Sequence, residues 1–259
     1  MKLLVSDVDG TLYRDGRIQA SDLLAIRRAV ELGCELCLAS GRMYPELLEI
    51  SNQLGLRCHF ISQNGSFVHT KANTLIHSAG FPANLARFLL NRVDAQNFPY
   101  VVSCSDNRMY VPVRYTAWTI WDRMLMPVDR FEHEDELFAA GNVPCKIALF
   151  GSAADLRAFQ IMIDDCSTDV TSYMADKDCL DLMPRHVSKG EALRVLLAHL
   201  AIANEEVMCI GDAHNDISMF NVTPHSFAME HSHPEVKNSA RSVVQSVAEA
   251  VDQLVTHSM

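Results

Sequence analysis

The stretch Leu3-Leu4-Val5-Ser6-Asp7-Val8-Asp9-Gly10-Thr11-Leu12 decides how the rest of the chain is read. An apolar run of strand length, predicted over 3–8, passes directly into two aspartates and a glycine. Residues two apart on an extended chain point to the same side, so Asp7 and Asp9 can both face a ligand held beyond the strand end. Gly10 lets the backbone turn away and leaves its amide open to a phosphate. Two carboxylates this close repel. A divalent cation, together with an acid–base role for one of them, answers that repulsion. An Asp-Gly pair alone would be an ordinary turn, but D-x-D-G-T-L on the end of an apolar strand reverses that reading.

Outward from this stretch, short apolar runs alternate with amphipathic ones. Ser21 is read as the N-cap of a helix with Leu23, Ile26, Val30 and Leu32 at helical spacing, ended by Gly33. A strand is predicted over 35–39. A helix opened by Pro45 then runs through Leu47, Leu48 and Leu54 to Gly55, and a third strand over 59–62 follows. The same rhythm returns late in the chain. Ser188 and Glu191 form an S-x-x-E capping box before a helix with Leu193, Leu196, Leu197 and Leu200 on one face. Strands over 207–210, 226–229 and 242–244 and a helix over 247–255 complete it. This pattern predicts parallel βαβ units.

The middle has a different texture, with helices over 85–93 and 155–163 and strands over 100–103, 109–113, 145–150, 169–174 and 180–183. It reads as an α+β domain over 82–183, inserted into an α/β core formed by 1–81 and 184–259.

Of the 259 residues, 49% are hydrophobic, enough for a sizeable core. No apolar run approaches the roughly 20 residues of a membrane-spanning helix, and the acidic turn after Val5 is unlike a secretory segment. A cytoplasmic location is expected. The formal net charge of -10 repels nucleic acid and anionic membranes. It also repels a phosphorylated metabolite, so a phosphate site must supply its own positive charge. The eight cysteines are scattered, and the C-x-x-C pair Cys34 and Cys37 has no second pair at zinc-site spacing. All are expected to be reduced and buried.

Three further motifs fall at predicted strand ends or helix starts. Gly211-Asp212-Ala213-His214-Asn215-Asp216 follows the 207–210 strand. Asp212 is placed to ligate Mg2+, with Asn215 and Asp216 steering the ligand or its waters, while helix capping is the plain structural reading. Lys189 lies in a first helical turn, unfavourable against the helix dipole unless an anion also binds there. Ser40-Gly41-Arg42 offers a hydroxyl and a glycine at a strand end, suited to a phosphate oxygen, although an ordinary βα turn has the same composition.

With these motifs in order, the chain resembles the haloacid dehalogenase superfamily of phosphohydrolases. The likeness is to its Cof-type branch (subfamily IIB), which carries a C2-type cap between the second and third motifs. The likeness rests on D-x-D-G-T-L at 7–12, S-G-R at 40–42, Q-N-G at 63–65, S-K-G at 188–190 and G-D-x-x-N-D at 211–216, with Ala228-Met229 and Pro234-Glu235-Val236-Lys237 beyond. It implies a Rossmann-like core with an inserted cap, and a Mg2+-dependent phosphatase acting on a small phosphorylated metabolite. Asp7 would attack phosphorus, and Asp9 would protonate the leaving oxygen and then deprotonate water. Asp7, the Asp9 carbonyl and Asp212 would hold Mg2+, supported by Asp216 and Asn215. Ser40 and Lys189 would bind phosphoryl oxygens. Gly10, Gly41 and Asn215 would join them in the phosphate and substrate site, Thr11 chiefly by shaping its loop, while Asn64 would line the entrance and Arg42 would orient the substrate.

The acidic, glycine-containing loop common near the family's C-terminus is replaced here by a run from Ala240 straight to Val247. His214 is read as either near the site or in loop packing. In the cap, Arg114, Trp118, Trp121 and Arg123 are candidates for substrate contact or for ordinary packing and solvation. A phosphomutase and a catalytically silent binding relative stand as alternatives.

Overall fold

The computed structural model describes residues 1–115 and 128–256. They fall into two compact units, Met1–Ser78 with Ser188–Met259, and Ala79–Val187. The first segment contains β1 (Leu3–Ser6), a small hairpin of β2 (Tyr13–Arg14) and β3 (Arg17–Ile18), α1 (Ala20–Glu31), β4 (Glu35–Ala39), α2 (Tyr44–Leu54), β5 (Cys58–Ser62), β6 (Phe67–His69) and β7 (Leu75–Ser78). The inserted segment contains α3 (Ala83–Ala95), β8 (Tyr100–Cys104), β9 (Met109–Pro112), β10 (Val128–Phe131), β11 (Pro144–Phe150), α4 (Ala153–Cys166), β12 (Val170–Asp176) and β13 (Cys179–Pro184). The chain then returns through α5 (Lys189–Leu200), β14 (Val207–Gly211), α6 (Ile217–Phe220), β15 (His225–Met229), α7 (Pro234–Ser239), β16 (Ser242–Val244) and α8 (Val247–Thr256).

The core sheet has the order β16-β15-β14-β1-β4-β5-β6-β7. Pairing is parallel from β16 to β5 and antiparallel from β5 to β7. Both faces of β1 are buried, as a central parallel strand requires. Alternate residues feed different layers. Leu3 and Val5 pack with Leu193, Leu196 and Leu197 of α5, whereas Leu4 packs with Ala25, Ile26 and Ala29 of α1. Each such buried aliphatic side chain contributes roughly 1.5–3 kcal/mol, so β1 is pinned from both sides and its exit point is fixed.

The second unit carries a mixed sheet of order β10-β9-β8-β11-β13-β12, in which β9 and β10 run parallel and the other pairs antiparallel. Val102, Ile147, Leu149, Leu180 and Leu182 meet Leu89 and Leu90 of α3 and Phe159 and Ile163 of α4 in a separate core. The molecule is thus an α/β protein with a mainly parallel core sheet, and the chain leaves that sheet after β7 to form a separate mixed sheet before returning at α5.

Several local expectations are corrected. β1 ends at Ser6 rather than continuing to Val8, because Thr11 and Tyr13 donate their amides to the Val8 carbonyl and close a turn. The N-cap of α1 is Gln19, with no side-chain cap, and Ser21 lies within the helix. At α5 the Ser188 hydroxyl accepts the Glu191 amide, but the Glu191 carboxylate pairs with Arg194 instead of closing the box. The cysteines are all free, yet Cys166 is exposed at the end of α4 and Cys179 is half-buried. Arg114 pairs with Asp94, and its guanidinium lies 4.9 Å from the centre of the Tyr115 ring. Trp118, Trp121 and Arg123 lie outside the described residues. Among the described residues, no helix is long and apolar enough to cross a membrane.

Candidate active site

β14 and β4 flank β1 on opposite sides, so the crossovers leave in opposite directions and open a crevice at the carboxyl ends of the strands. The loops after β1, β4, β5 and β14 all emerge at that end, and the first residue of α5 joins them.

Asp7 comes first. Its amide donates to the Ile210 carbonyl at 2.9 Å, which locks the strand exit to β14, and the residue is buried at 5% exposure. Oδ1 accepts a hydrogen bond from Lys189 Nζ at 2.6 Å. Oδ2 is buried and has no hydrogen-bond partner among the described residues. Lys189, itself 1% exposed, also donates to Asp216 Oδ1 at 2.6 Å. The other Asp216 oxygen accepts the amides of Asp212 and Ala213, each at 2.9 Å. Asp216 therefore spans two jobs, clamping the loop after β14 and holding one side of the lysine. Thr11 donates its hydroxyl to Asp212 Oδ1 at 2.6 Å.

Gly10 has φ +87°, and a Cβ there would lie 2.4 Å from Asp212 Oδ2. The loop after β1 thus lies flush against the carboxylate. Gly65, at φ +110°, is held just as tightly, since a Cβ would fall 2.2 Å from the Ser188 carbonyl. That contact seats the Q-N-G turn on the start of α5 and helps fix where Lys189 projects.

Burial raises the Asp7 pKa well above the usual carboxylate range. Lys189 opposes this, and the charges of Asp216 and Asp212 add to it. Asp212 is raised by burial and by Asp216, against the Thr11 hydrogen bond. Burial works against the Lys189 charge, but Asp216 and Asp7 outweigh it and hold the ammonium above the ordinary lysine range. One cation among three carboxylates leaves a surplus of negative charge. Oxygens of Asp7, Asp212 and Asp216 lie within 4.8 Å of one another. An orphaned buried carboxylate oxygen beside all-oxygen donors fits a hard divalent cation.

Asp9 is placed differently. Its carboxylate is 54% exposed and is gripped by Arg42, with Nε to Oδ2 at 2.8 Å and Nη2 to Oδ1 at 2.6 Å. Ser40 Oγ is buried and accepts the Arg42 amide at 3.1 Å, which leaves its own hydrogen to donate. Gly41 lies against Asn64, whose Oδ1 accepts from Asn215 Nδ2 at 2.9 Å, tying the loop after β5 to the loop after β14. His214 is exposed, with Nε2 3.3 Å from Glu235 Oε2. After β16 the chain enters α8 almost at once, and the Gln245 carbonyl accepts from Arg14 at 2.7 Å.

One neighbour escaped the sequence reading. His231 Nε2 stands 3.7 Å from Asp212 Oδ2. The available signal was its place just beyond β15, the strand next to β14.

The sequence profile of the haloacid dehalogenase-like hydrolases matches residues 4–252. The chain belongs to that family. Within it the chain is a phosphatase of the Cof-type branch. The HMP-PP phosphatase of Escherichia fergusonii is 27% identical over 250 residues, covering 91% of this chain and 86% of that protein. Phosphatase YwpJ of Bacillus subtilis is 24% identical, covering 94% of each chain. Among solved structures, a haloacid dehalogenase-like hydrolase from B. subtilis superposes with a TM-score of 0.87 at 24% identity over 100% of both chains. A subclass IIB sugar phosphatase gives a TM-score of 0.80 at 19% identity, covering 99% of this chain and 98% of that one.

Proposed function

We propose that this phosphatase hydrolyses small phosphorylated metabolites with Mg2+, passing the phosphoryl group through Asp7. The observation that carries this reading is the state of the Asp7 carboxylate, buried, with one oxygen on Lys189 and the other without a partner. Asp7, Asp212 and the Asp9 carbonyl would hold the metal, supported by Asp216 and Asn215, and the metal would neutralise charge on the phosphoryl oxygens. Lys189 and Ser40 take the remaining phosphoryl oxygens, and Lys189 supplies the local positive charge that a chain of net charge -10 needs.

An Asp7 oxygen attacks phosphorus as the bond to the leaving oxygen breaks, and Asp9 protonates that oxygen. Water then attacks the aspartyl phosphate, gives its proton to Asp9, and releases inorganic phosphate and the Asp7 carboxylate. Asp9 must first leave Arg42. The Asp9 carboxylate is 54% exposed, so water can replace the guanidinium as it leaves, and the exchange costs little beside the barriers of phosphoryl transfer. Relatives named HMP-PP phosphatase and sugar phosphatase support a small-metabolite substrate.

The test is release of inorganic phosphate from a panel of phosphorylated metabolites, with and without Mg2+ and without any sugar-phosphate activator. Mg2+-dependent release is expected from the wild type and none from Asp7→Asn, with turnover lost in Asp9→Ala. Wild-type rates in Asp7→Asn would overturn the reading.

A further inference from the structure

A second set of donors, of different chemistry, lies on the exposed surface of the core unit. His214 sits on the turn after Asp212, and His233 and Glu235 flank Pro234 at the start of α7. One ligand atom from each comes within 4.8 Å of the others. His214 Nε2 and Glu235 Oε2 are 3.3 Å apart. Ligands at about 2.0–2.1 Å in a tetrahedron are separated by about 3.3–3.4 Å. The two imidazole centroids are 5.2 Å apart and their planes are tilted by 39°. Two rings bound to one tetrahedral ion through nitrogen would have centroids about 5 Å apart, given the same bond length. Both separations match a shared ion, and the tilt distinguishes the pair from a ring stack.

We propose that His214, His233 and Glu235 form a second cation site, for a borderline divalent transition metal such as Zn2+. Two imidazoles and one carboxylate suit Zn2+, whereas Mg2+ keeps to oxygen donors, so the two sites select different ions. The supports on both sides are fixed. Asp216 clamps the turn that carries His214 through the amides of residues 212 and 213. The ring of Pro234 restricts the backbone between the other two ligands, and Val236 beneath them is fully buried in the core. Binding costs little locally. His233 Nδ1 now accepts the Glu235 amide at a long 3.4 Å, a bond given up whichever ring nitrogen takes the metal. An ion here joins the loop that carries Asp212 to the segment just after His231. The inference stands independently of the proposed reaction.

The test is calorimetric titration of tag-free, full-length protein with Zn2+ in saturating Mg2+. The wild type is expected to bind one more equivalent of Zn2+ than either His233→Ala or Glu235→Gln. The Mg2+-induced rise in melting temperature should persist in both variants and report that they are folded. With Co2+ in place of Zn2+, the wild type should show visible d–d bands of a low-coordinate N/O site that both variants lose. Equal Zn2+ uptake by wild type and folded variants would overturn the proposal, whether the ion sits on exposed Cys166 or on the carboxylate cluster. No uptake by the wild type would overturn it as well.

Discussion

Lys189 and Arg42 each pair with aspartate at about the same distance, yet the two contacts do different work. Lys189 Nζ is fully buried between Asp7 and Asp216, at 2.6 Å from each. Removing one partner from a buried ion pair leaves an uncompensated charge and costs about 3–5 kcal/mol. Lys189→Met should therefore lose stability of that size in EDTA, as read by urea unfolding. Part of the loss should return in Mg2+, because a divalent cation compensates the same carboxylates and binds only the folded chain. A variant as stable as wild type in EDTA would show that the lysine does not hold the cluster. Arg42 pairs with a carboxylate that is 54% exposed. Water reaches the carboxylate side of that pair, although Arg42 itself is 19% exposed and lies over the Tyr13 ring, so Arg42→Ala should cost about 1–2 kcal/mol of unfolding free energy, less than Lys189→Met, while altering turnover through Asp9. A loss near that of Lys189→Met would mean that Asp9 is structurally anchored and not exchangeable.

At the scale of elements, the sheet was legible where burial on both faces writes a continuous apolar run. β14, β15 and β16 lie within a residue of the predicted strands, and the motifs at their ends meet because parallel strands exit on one side. Asp7, Thr11, Lys189, Asp212 and Asp216 are brought together by that topology, although no spacing in the chain shows it. Short antiparallel pieces were not legible. The β2–β3 hairpin and the β6–β7 extension are two to four residues long and too brief for a period to emerge. Nor could the pattern show which way Asp9 turns, since its rotamer follows the guanidinium of a residue 33 positions away.

The β5–β6 pair also carries two histidines whose state the sequence left open. His59 Nδ1 accepts the Lys71 amide at 3.2 Å, so the proton sits on Nε2, which donates to Glu35 Oε2 at 2.5 Å. Burial lowers the His59 pKa despite Glu35, and burial alone lowers that of His69, which stacks on Tyr44 at 3.7 Å. The unfolded chain takes up protons near pH 6.5 that the fold refuses, so the contribution is full above that pH and is lost as pH falls below it. The steepest loss is about 1.4 kcal/mol per pH unit for each histidine. Unfolding free energy measured from pH 7.5 to 5 should fall for the wild type and fall less steeply for His59→Gln combined with His69→Gln. Glu35, lowered by His59 and Lys71 against its burial, loses its share only at more acid pH. Parallel slopes for the two proteins across this window would reject neutral, buried imidazoles as the cause.

At the scale of the molecule, the apolar clusters divide as the chain does. Leu149, Leu156 and Leu180 belong to a core built wholly from the inserted unit, and Leu193 and Leu196 to one built wholly from the other. Units with separate cores can unfold separately, so calorimetry is expected to show two transitions. Asp7, Asp212 and Lys189 all reside in Met1–Ser78 with Ser188–Met259, so Mg2+ should stabilise that unit alone. At a hundredfold excess over the dissociation constant, the gain is about 2.7 kcal/mol. Two substitutions assign the transitions. Leu149→Ala removes a fully buried side chain from the inserted core and should lower one transition by about 2–5 kcal/mol, leaving the Mg2+-responsive one in place. Leu193→Ala should lower the Mg2+-responsive transition by a similar amount and spare the other. A single transition moved as a whole by Mg2+ and by both substitutions would show that the two cores melt as one.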